Sequence, residues 1–462
     1  MTRSPSTTQR WAYAAALSAL IGACAATPQS APPTPGGPPV AGGETPPASP
    51  PAPTPGDPIG TPDVAFSGPI GSYTPSGNRD MDIWREDFAA RAAAQGRNPA
   101  VIHALLEGIR PLELYLSEDV TVASTGIADQ AEFAKAIWEY LRTAVTTSRF
   151  ERGAEKMAEY AEVFDVLEQT YGVDRAAISA IWAMETNYGS YIGNYDAANT
   201  LANMAVEGRR RSFAESQLLA LMKIVENGFA QRSQLGSGWA GAMGQTQFMP
   251  TTYLAYAQDY DGDGLSNVWS YAPDALASAA HYLSASGYQF GQPWGIEVLA
   301  PSGFDWSYAD GNDRRMSTWR SLGLSPMRGN SFSVDEGEYA ELWLPAGATG
   351  PKYLLFKNFD VFKTYNNANS YALAVGLLAD GLNGQFGPVA AWPTHIPRLN
   401  VGEVKELQQA LNQLGYSAGP VDGIAGSGTR KALQNFQKDR GLVADGYASR
   451  PALDAVLAAA AS

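Results

Sequence analysis

The segment from Thr27 to Pro62 most constrains how this chain folds. It consists mainly of Pro, Gly, Ala, Ser and Thr, with almost no large apolar residue. Such a segment cannot bury enough apolar surface to offset the loss of chain entropy, so we expect an extended tether. The chain has 462 residues, too many for one average core. We therefore expect two or three folded units, all C-terminal to a linker over residues 25–78.

The first 24 residues have the features of a secretory signal. Basic residues Arg3 and Arg10 precede an apolar run, Trp11–Ala23, that is too short to span a bilayer comfortably. Small residues then lead directly to Cys24, which resembles the lipobox of bacterial lipoproteins. That resemblance implies that residues 1–24 are a lipoprotein signal peptide and that acylated Cys24 anchors the protein to a lipid bilayer. The implied location is the periplasm, on the outer membrane. An ordinary signal peptide with an incidental cysteine is the alternative.

Charge and metal-binding residue types exclude several function classes. The formal net charge is −14, which argues against a nucleic-acid partner because phosphates would not be neutralised. Cys24 is the one cysteine, so neither a disulfide framework nor a papain-like nucleophile is expected. The three histidines lie far apart, without the spacing of a zinc hydrolase: His103, His281 and His395. Zinc amidases and cysteine endopeptidases are thereby excluded.

Apolar periodicity predicts a mainly helical chain with one β-rich part. Residues 80–171 have helical spacing over Asp82–Gln95, Pro99–Ile109, Asp129–Ser148 and Arg152–Tyr171. Between about Gly295 and Phe362 the pattern changes to short strands, such as Tyr339–Leu344 and Lys352–Phe356. We therefore predict an α+β fold, mainly helical, with a small β insertion.

The next predicted helix follows residue 171. Asp174 is a candidate N-cap, the helix covers Arg175–Glu185, and Tyr188-Gly189 marks its end.

This helix carries a carboxyl group on its apolar face. Ile178, Ile181 and Glu185 stand three and four residues apart, so the glutamate continues the apolar stripe. Burial and the negative pole of the helix dipole both raise the pKa of a carboxyl group. An acid still protonated near neutral pH is what a general acid requires. The alternative is a glutamate that extends into solvent or pairs with Arg175 or Lys223.

Three blocks of sequence resemble one known family. Residues Ala180–Gly189 resemble the end of the catalytic helix in the membrane-bound lytic murein transglycosylase B family. The similarity continues at Gly238–Pro250 and at Tyr365–Leu377, in the family's order and over roughly residues 80–385. The resemblance implies a lysozyme-like catalytic domain, placed here at residues 79–390. It also implies an enzyme that cleaves the MurNAc–GlcNAc bond of peptidoglycan glycan strands.

The same resemblance implies that Glu185 is the sole acid/base and that catalysis needs no cofactor. The 6-hydroxyl of muramic acid would attack the anomeric carbon and form a 1,6-anhydro end, so one carboxylate suffices. A muramidase-type hydrolase on this fold would usually need a second carboxylate, for which Asp196 and Glu207 are candidates. A non-catalytic wall-binding lipoprotein is the third reading.

Motif position also implies the substrate-binding residues. The candidates are Ser237, Trp239, Met243, Gln247, Tyr365 and Asn366. Amide side chains suit this role because they bind sugar hydroxyls and N-acetyl groups without adding charge. The chain departs from the family at Gly238, where a serine usually precedes the tryptophan. The serine contact therefore falls to Ser237 or is lost.

A loop after residue 258 resembles a calcium-binding loop. Residues Asp259–Gly264 match the start of an EF-hand, with acids at positions one, three and five and glycine at six. Position twelve is Ser270, so the usual bidentate glutamate is missing, and the resembling family closes its variant loop with an aspartate near Asp274. A structural Ca²⁺ is predicted; a solvated Asp/Gly turn is the alternative. The candidate ligands are Asp259, Asp261, Asp263, Leu265 and Asp274.

Residues 398–460 form a separate compact pattern. Amphipathic spacing predicts helices through Val404–Leu414 and Thr429–Arg440, with glycine-containing turns between them. The segment resembles the peptidoglycan-binding domain type 1, a three-helix bundle. The resemblance implies that it holds the enzyme on insoluble peptidoglycan and so raises the local concentration of substrate. A purely structural cap is the alternative, and cell-wall synthesis or division proteins are candidate partners.

Overall fold

The computed structural model describes residues 72–116, 136–396 and 398–461. The predicted signal peptide, Cys24 and the linker up to residue 71 lie outside the described residues and stay predictions. Within the described ranges, no helix combines the length and the hydropathy that a membrane span requires.

Helices make up most of the described chain, which confirms the mainly helical fold class. The first group is α1 Arg79–Ala94, α2 Pro99–Leu106, α3 Glu113–Leu116, α4 Ile137–Ala144, α5 Thr147–Glu159, α6 Ala161–Tyr171 and α7 Arg175–Thr186. The second group is β1 Tyr195–Asp196, α8 Ala197–Glu207, α9 Arg211–Glu226, β2 Gly236–Ser237, α10 Pro250–Tyr256 and α11 Ala272–Ala285.

A β-rich part and five further helices follow in the described chain. The β-rich part contains β3 Gly295–Leu299, β4 Asp313–Arg315, α12 Met316–Ser321, β5 Ser325–Pro326, β6 Tyr339–Trp343 and β7 Tyr353–Leu355. The remaining helices are α13 Lys357–Tyr365, α14 Asn369–Leu382, α15 Val401–Gln413, α16 Ser427–Asp439 and α17 Arg450–Ala460.

The helix predicted over Asp129–Ser148 is wrong as a single element. Its described part is α4, which ends at Ala144, whereas residues 129–135 lie outside the described chain. Thr146 then caps the next helix, because its hydroxyl accepts a hydrogen bond from the Arg149 amide at 3.4 Å. Both helices turn apolar residues toward one core, so the apolar spacing continues across the break.

Two other predicted helices have different limits. The prediction over Arg152–Tyr171 is wrong as one helix, because Tyr160 leaves helical geometry (φ −108°, ψ 28°) and separates α5 from α6. The prediction over Pro99–Ile109 is too long, because Glu107 takes an extended conformation after Leu106.

The helix α7 lies at the centre of the largest core. All its residues from Ala176 to Thr186 are buried, including Ile178 and Ile181 with no exposed surface. Helix α14 packs along it, and α5, α6 and α11 cover its other sides. A helix enclosed on all sides is typical of the interior of a large domain.

The β insertion forms an antiparallel five-stranded sheet with strand order β4-β6-β7-β3-β5. This confirms the predicted insertion, whose two expected strands correspond to β6 and β7. The central strand β7 is buried along its whole length. The sheet has its own core, with Trp319 and Leu354 completely buried.

The C-terminal helices α15, α16 and α17 enclose a third core, as predicted for a three-helix bundle. Gln437 donates a hydrogen bond to Asp445 Oδ1 at 3.1 Å, and the Gly446 amide donates to Gln437 Oε1 at 2.8 Å. The second oxygen of Asp445 accepts from the Ala348 amide of the insertion at 3.0 Å. Gln434 donates to two carbonyls of the insertion. The bundle is therefore docked against the insertion by specific hydrogen bonds.

Replacing Gly153 by alanine should destabilise the helical core. Gly153 is buried in α5, where a Cβ would collide with the Tyr188 hydroxyl and with Leu382. Such overpacking destabilises by about 1–3 kcal/mol, which exceeds the gain in helix propensity of about 1 kcal/mol. Urea unfolding of both proteins measures the difference. The matched control is Gly428→Ala in α16, where a Cβ would meet ordinary contacts; equal effects at the two positions would contradict the argument.

Candidate active site

The helix that carries Glu185 begins at Arg175, as predicted, and ends one residue beyond the predicted Glu185. Asp174 occupies the N-cap position but makes no capping bond; its carboxylate accepts a hydrogen bond from the Tyr288 hydroxyl at 2.7 Å. The helix ends at Thr186, and Asn187 terminates it in a left-handed conformation (φ 50°).

Backbone strain is concentrated beside this helix end. Among the described residues, the non-glycine residues with positive φ are Asn187 (50°), Tyr188 (61°) and Gln247 (50°). Asparagine tolerates this conformation, but an aromatic residue rarely adopts it. All three belong to the first two sequence blocks. Strain of this kind persists only where surrounding contacts hold it, and it clusters at functional sites.

The side chains of Thr186 and Gln245 provide those contacts. The Thr186 hydroxyl donates to the Gln245 carbonyl at 2.8 Å and accepts from the Gly189 amide at 3.0 Å. The Trp182 indole donates to Gln245 Oε1 at 3.0 Å. The second block is thereby fixed against the helix end. Gln245 lies inside the second block but is not among the site residues predicted from the sequence.

Glu185 is 8% exposed, and its Oε1 accepts a hydrogen bond from the Tyr371 hydroxyl. The alternative of a glutamate that extends into solvent or pairs with Arg175 or Lys223 does not hold. Arg175 instead pairs with Glu168 at 2.5 Å, and Lys223 is exposed. The sequence therefore placed this carboxyl group correctly on a buried face.

Two buried tyrosines face the Glu185 carboxyl group. Burial, together with the negative charge of Glu185, raises the pKa of Tyr365 and of Tyr371 well above its ordinary value. Both therefore stay protonated as hydrogen-bond donors. The Tyr365 hydroxyl has no hydrogen-bond partner among the described residues, which leaves it available to a ligand. Tyr371 was missed, although it lies in the third block.

The two candidate second carboxylates serve structural contacts. Asp196 caps α8 by accepting from the Asn199 amide at 2.7 Å, and it pairs with Arg232 at 3.0 Å. Glu207 pairs with Arg209 at 2.7 Å. Neither contact indicates a free catalytic base.

The other candidate substrate residues differ in exposure. Ser237 and Met243 have no exposed surface, and the Ser237 hydroxyl bonds the Tyr195 carbonyl at 3.3 Å. In this conformation neither side chain is exposed for contact with a substrate. Trp239, Gln247 and Asn366 are nearly buried, with exposures of 5%, 5% and 1%.

The acidic loop gathers three of its five candidate ligands. Carboxylate oxygens of Asp259, Asp261 and Asp263 lie within 4.8 Å of one another. Asp274 is buried and accepts from the amides of Tyr260 and Asn267 at 2.8 and 2.6 Å. Burial raises its pKa to about 6.

The carboxylate cluster fits a hard divalent cation such as Ca²⁺, which prefers oxygen ligands. The Leu265 amide donates to Asp263 Oδ1 at 2.8 Å, so this residue helps to shape the loop. The Asp274 carboxylate closes the loop by accepting hydrogen bonds from the backbone amides of Tyr260 and Asn267.

Comparison with known proteins agrees with this architecture. Residues 80–380 match the family model described as transglycosylase SLT domain, and residues 400–456 match a putative peptidoglycan binding domain. Membrane-bound lytic murein transglycosylase B of Escherichia coli (strain K12) is 28% identical over 252 residues, which are 53% of this chain and 66% of that protein.

Two solved structures share the fold. SltB3 from Pseudomonas aeruginosa, in complex with NAG-anhNAM-pentapeptide, is 40% identical; the match covers 82% of this chain and 100% of that chain, with a TM-score of 0.77. The Escherichia coli lytic transglycosylase Slt35, in complex with calcium, is 24% identical over 67% of this chain and 94% of that chain. Its TM-score of 0.53 indicates a shared fold. Because the matched family model covers more than half of the 462 residues, the chain belongs to the transglycosylase SLT domain family.

Proposed function

We propose that this protein is a peptidoglycan lytic transglycosylase. It cleaves the MurNAc–GlcNAc bond and forms 1,6-anhydro-MurNAc, with Glu185 as the single acid/base. The observation that carries the proposal is the buried Glu185 carboxyl group, bonded by Tyr371 and set beside a strained loop. The relative SltB3, solved with NAG-anhNAM-pentapeptide, supports the choice of substrate.

The reaction needs two proton transfers and no water. Glu185 gives its proton to the glycosidic oxygen while the bond from the anomeric carbon to that oxygen breaks. The 6-hydroxyl of MurNAc then bonds the anomeric carbon, and its proton returns to Glu185. Tyr371 donates a hydrogen bond to Oε1, so this hydroxyl helps to orient the carboxyl group for both proton transfers. The Tyr365 hydroxyl is free to donate to the sugar.

A hydrolytic muramidase is the weaker alternative. It would place a water molecule and usually a second carboxylate at the anomeric carbon. Asp196 and Glu207 are both engaged in structural contacts, which favours the intramolecular route. The third alternative, a non-catalytic wall-binding protein, gives no reason to bury a carboxyl group beside an unpartnered phenol.

The remaining assignments concern attachment. The C-terminal bundle holds the enzyme on peptidoglycan, supported by its match to a putative peptidoglycan binding domain. Acylated Cys24 holds the protein on the outer membrane, facing the periplasm, and the Pro/Gly-rich segment serves as tether. The apolar run before Cys24 supports that location.

The loop carboxylates Asp259, Asp261 and Asp263 hold a structural Ca²⁺.

Replacing Glu185 by glutamine should abolish product formation, because the amide cannot give or accept the proton. Isolated peptidoglycan is digested and the soluble products are analysed by mass spectrometry. The wild type should release anhydro-muropeptides and the variant none, at unchanged sedimentation with the wall. The matched control is Glu207→Gln, which should keep activity. Reducing-end products from the wild type would instead establish a hydrolase.

Replacing Tyr371 by phenylalanine should lower kcat by about 10–100-fold while KM changes little, because the hydroxyl bonds the acid rather than the substrate. Initial rates of anhydro-product release measure both constants. Tyr253→Phe is the control, since this buried hydroxyl bonds the Ser266 carbonyl at 2.8 Å. An unchanged kcat for Tyr371→Phe would contradict the assigned role.

Adding Ca²⁺ should raise the melting temperature of the protein. At 100 times Kd, binding to the native state stabilises by about 2.7 kcal/mol. Asp261→Asn should remove most of this effect because it deletes one ligand charge, whereas Asp313→Asn, outside the loop, should not. Calorimetric scans with Ca²⁺ and with a chelator test the site; no Ca²⁺-dependent shift in the wild type would refute it.

A further inference from the structure

Arg149 connects three parts of the protein around the proposed catalytic acid. Its guanidinium Nη1 donates to the Ala144 carbonyl at 2.5 Å and lies 3.7 Å from Sδ of Met184, the residue before Glu185. Its own carbonyl accepts a hydrogen bond from the Tyr188 hydroxyl at 2.8 Å. One residue thus ties the end of α4 to the catalytic helix and to its strained C-terminal loop.

The helix dipole and burial both disfavour a charged arginine at this position. Arg149 lies in the first turn of α5, where the positive pole of the helix dipole repels a cation. Burial lowers its pKa, opposed by the charges of Tyr140, Tyr188 and Glu185. Of these three groups, Glu185 is the one that becomes ionised during the proposed reaction, because phenols have a pKa near 10 and stay protonated. A position that is unfavourable for stability is expected where function requires the residue.

Other titratable groups on the described elements around Glu185 include four phenols and Arg152. Those on the surrounding elements are Tyr140 on α4, Arg152 on α5, Tyr188 after α7, Tyr365 on α13 and Tyr371 on α14. Burial raises the pKa of Tyr188, Tyr365 and Tyr371, so these hydroxyls stay neutral. Arg152 acts on Tyr188. Arg149 is a cation whose charge interacts with that of the Glu185 carboxyl group.

We propose that Arg149 is a positioning residue that orients the end of the catalytic helix and stabilises the Glu185 carboxylate formed when the leaving oxygen is protonated. This inference rests on the proposed function. After the first proton transfer Glu185 carries a negative charge in a buried site, and a nearby cation lowers the free energy of that state. A fixed guanidinium needs no reorganisation as the charge develops.

Arg149→Met tests the proposal in the full-length protein. It should lower kcat by about tenfold with KM nearly unchanged, and move the alkaline limb of the kcat–pH profile upward by about one unit. Without the cation, the carboxyl group is a weaker acid and keeps its proton to higher pH. Arg149→Lys should restore most of the pH profile because it keeps the charge. Arg142→Met is the control, since Arg142 is an exposed arginine on α4.

A second measurement does not depend on activity. With ¹³C-labelled glutamate, the Glu185 carboxyl resonance is assigned by its loss in Glu185→Gln. The midpoint of its pH titration should rise by about one unit in Arg149→Met. If Arg149→Met unfolds, Arg149→Gln, which removes the charge but keeps a polar side chain, is titrated instead. A lower kcat without a change in its midpoint would show altered geometry alone and would overturn the stabilising role. An unchanged midpoint in folded Arg149→Met overturns the proposal, whereas failure of the wild type to form anhydro product overturns the proposed function.

Discussion

The burial of one carboxyl group is the constraint on which the rest of the structure depends. Glu185 is removed from water at the end of a helix that is itself enclosed on all sides. A buried carboxyl group needs hydrogen bonds and charges that support its protonated and ionised forms in turn. Tyr371 and Arg149 approach it from helices distant in sequence. Helices α14 and α5 are therefore parts of the site as well as of the core.

Close backbone approach fixes the geometry around that group. Gly193 has φ 91°, and a Cβ there would collide with the Ser237 carbonyl, so only glycine lets the two segments meet. The Thr186–Gln245 hydrogen bond then connects the helix end to the second block. These contacts compensate for the strained conformations of Tyr188 and Gln247. Rigid support of this kind is what a preorganised acid site requires.

Predictions from the sequence held where a feature depends on local spacing, and they failed where it depends on contacts between distant segments. Apolar spacing predicted the helical class, the β insertion, two helices of the C-terminal bundle and the place of Glu185 on an apolar face, because each depends on local periodicity. The three-helix bundle itself was implied by the family resemblance. The prediction from spacing extended α4 to Ser148 and joined α5 to α6, since the apolar spacing continues across the breaks at Thr146 and Tyr160. Asp174 occupies the predicted N-cap position, but its carboxylate accepts a hydrogen bond from Tyr288, far along the chain, instead of capping the helix.

The sequence by itself determined that a glutamate lies on an apolar helix face, that three blocks belong together, and that acids of one loop can gather. Local spacing decides the first and the third of these features, and the resemblance to one family indicated the second. Only the tertiary structure decided that Tyr371 bonds Glu185, that Arg149 supplies the nearby charge, and that Asp196 and Glu207 are engaged elsewhere. The physical reason is that these contacts join segments separated by long stretches of chain, and their geometry is fixed by how the helices pack.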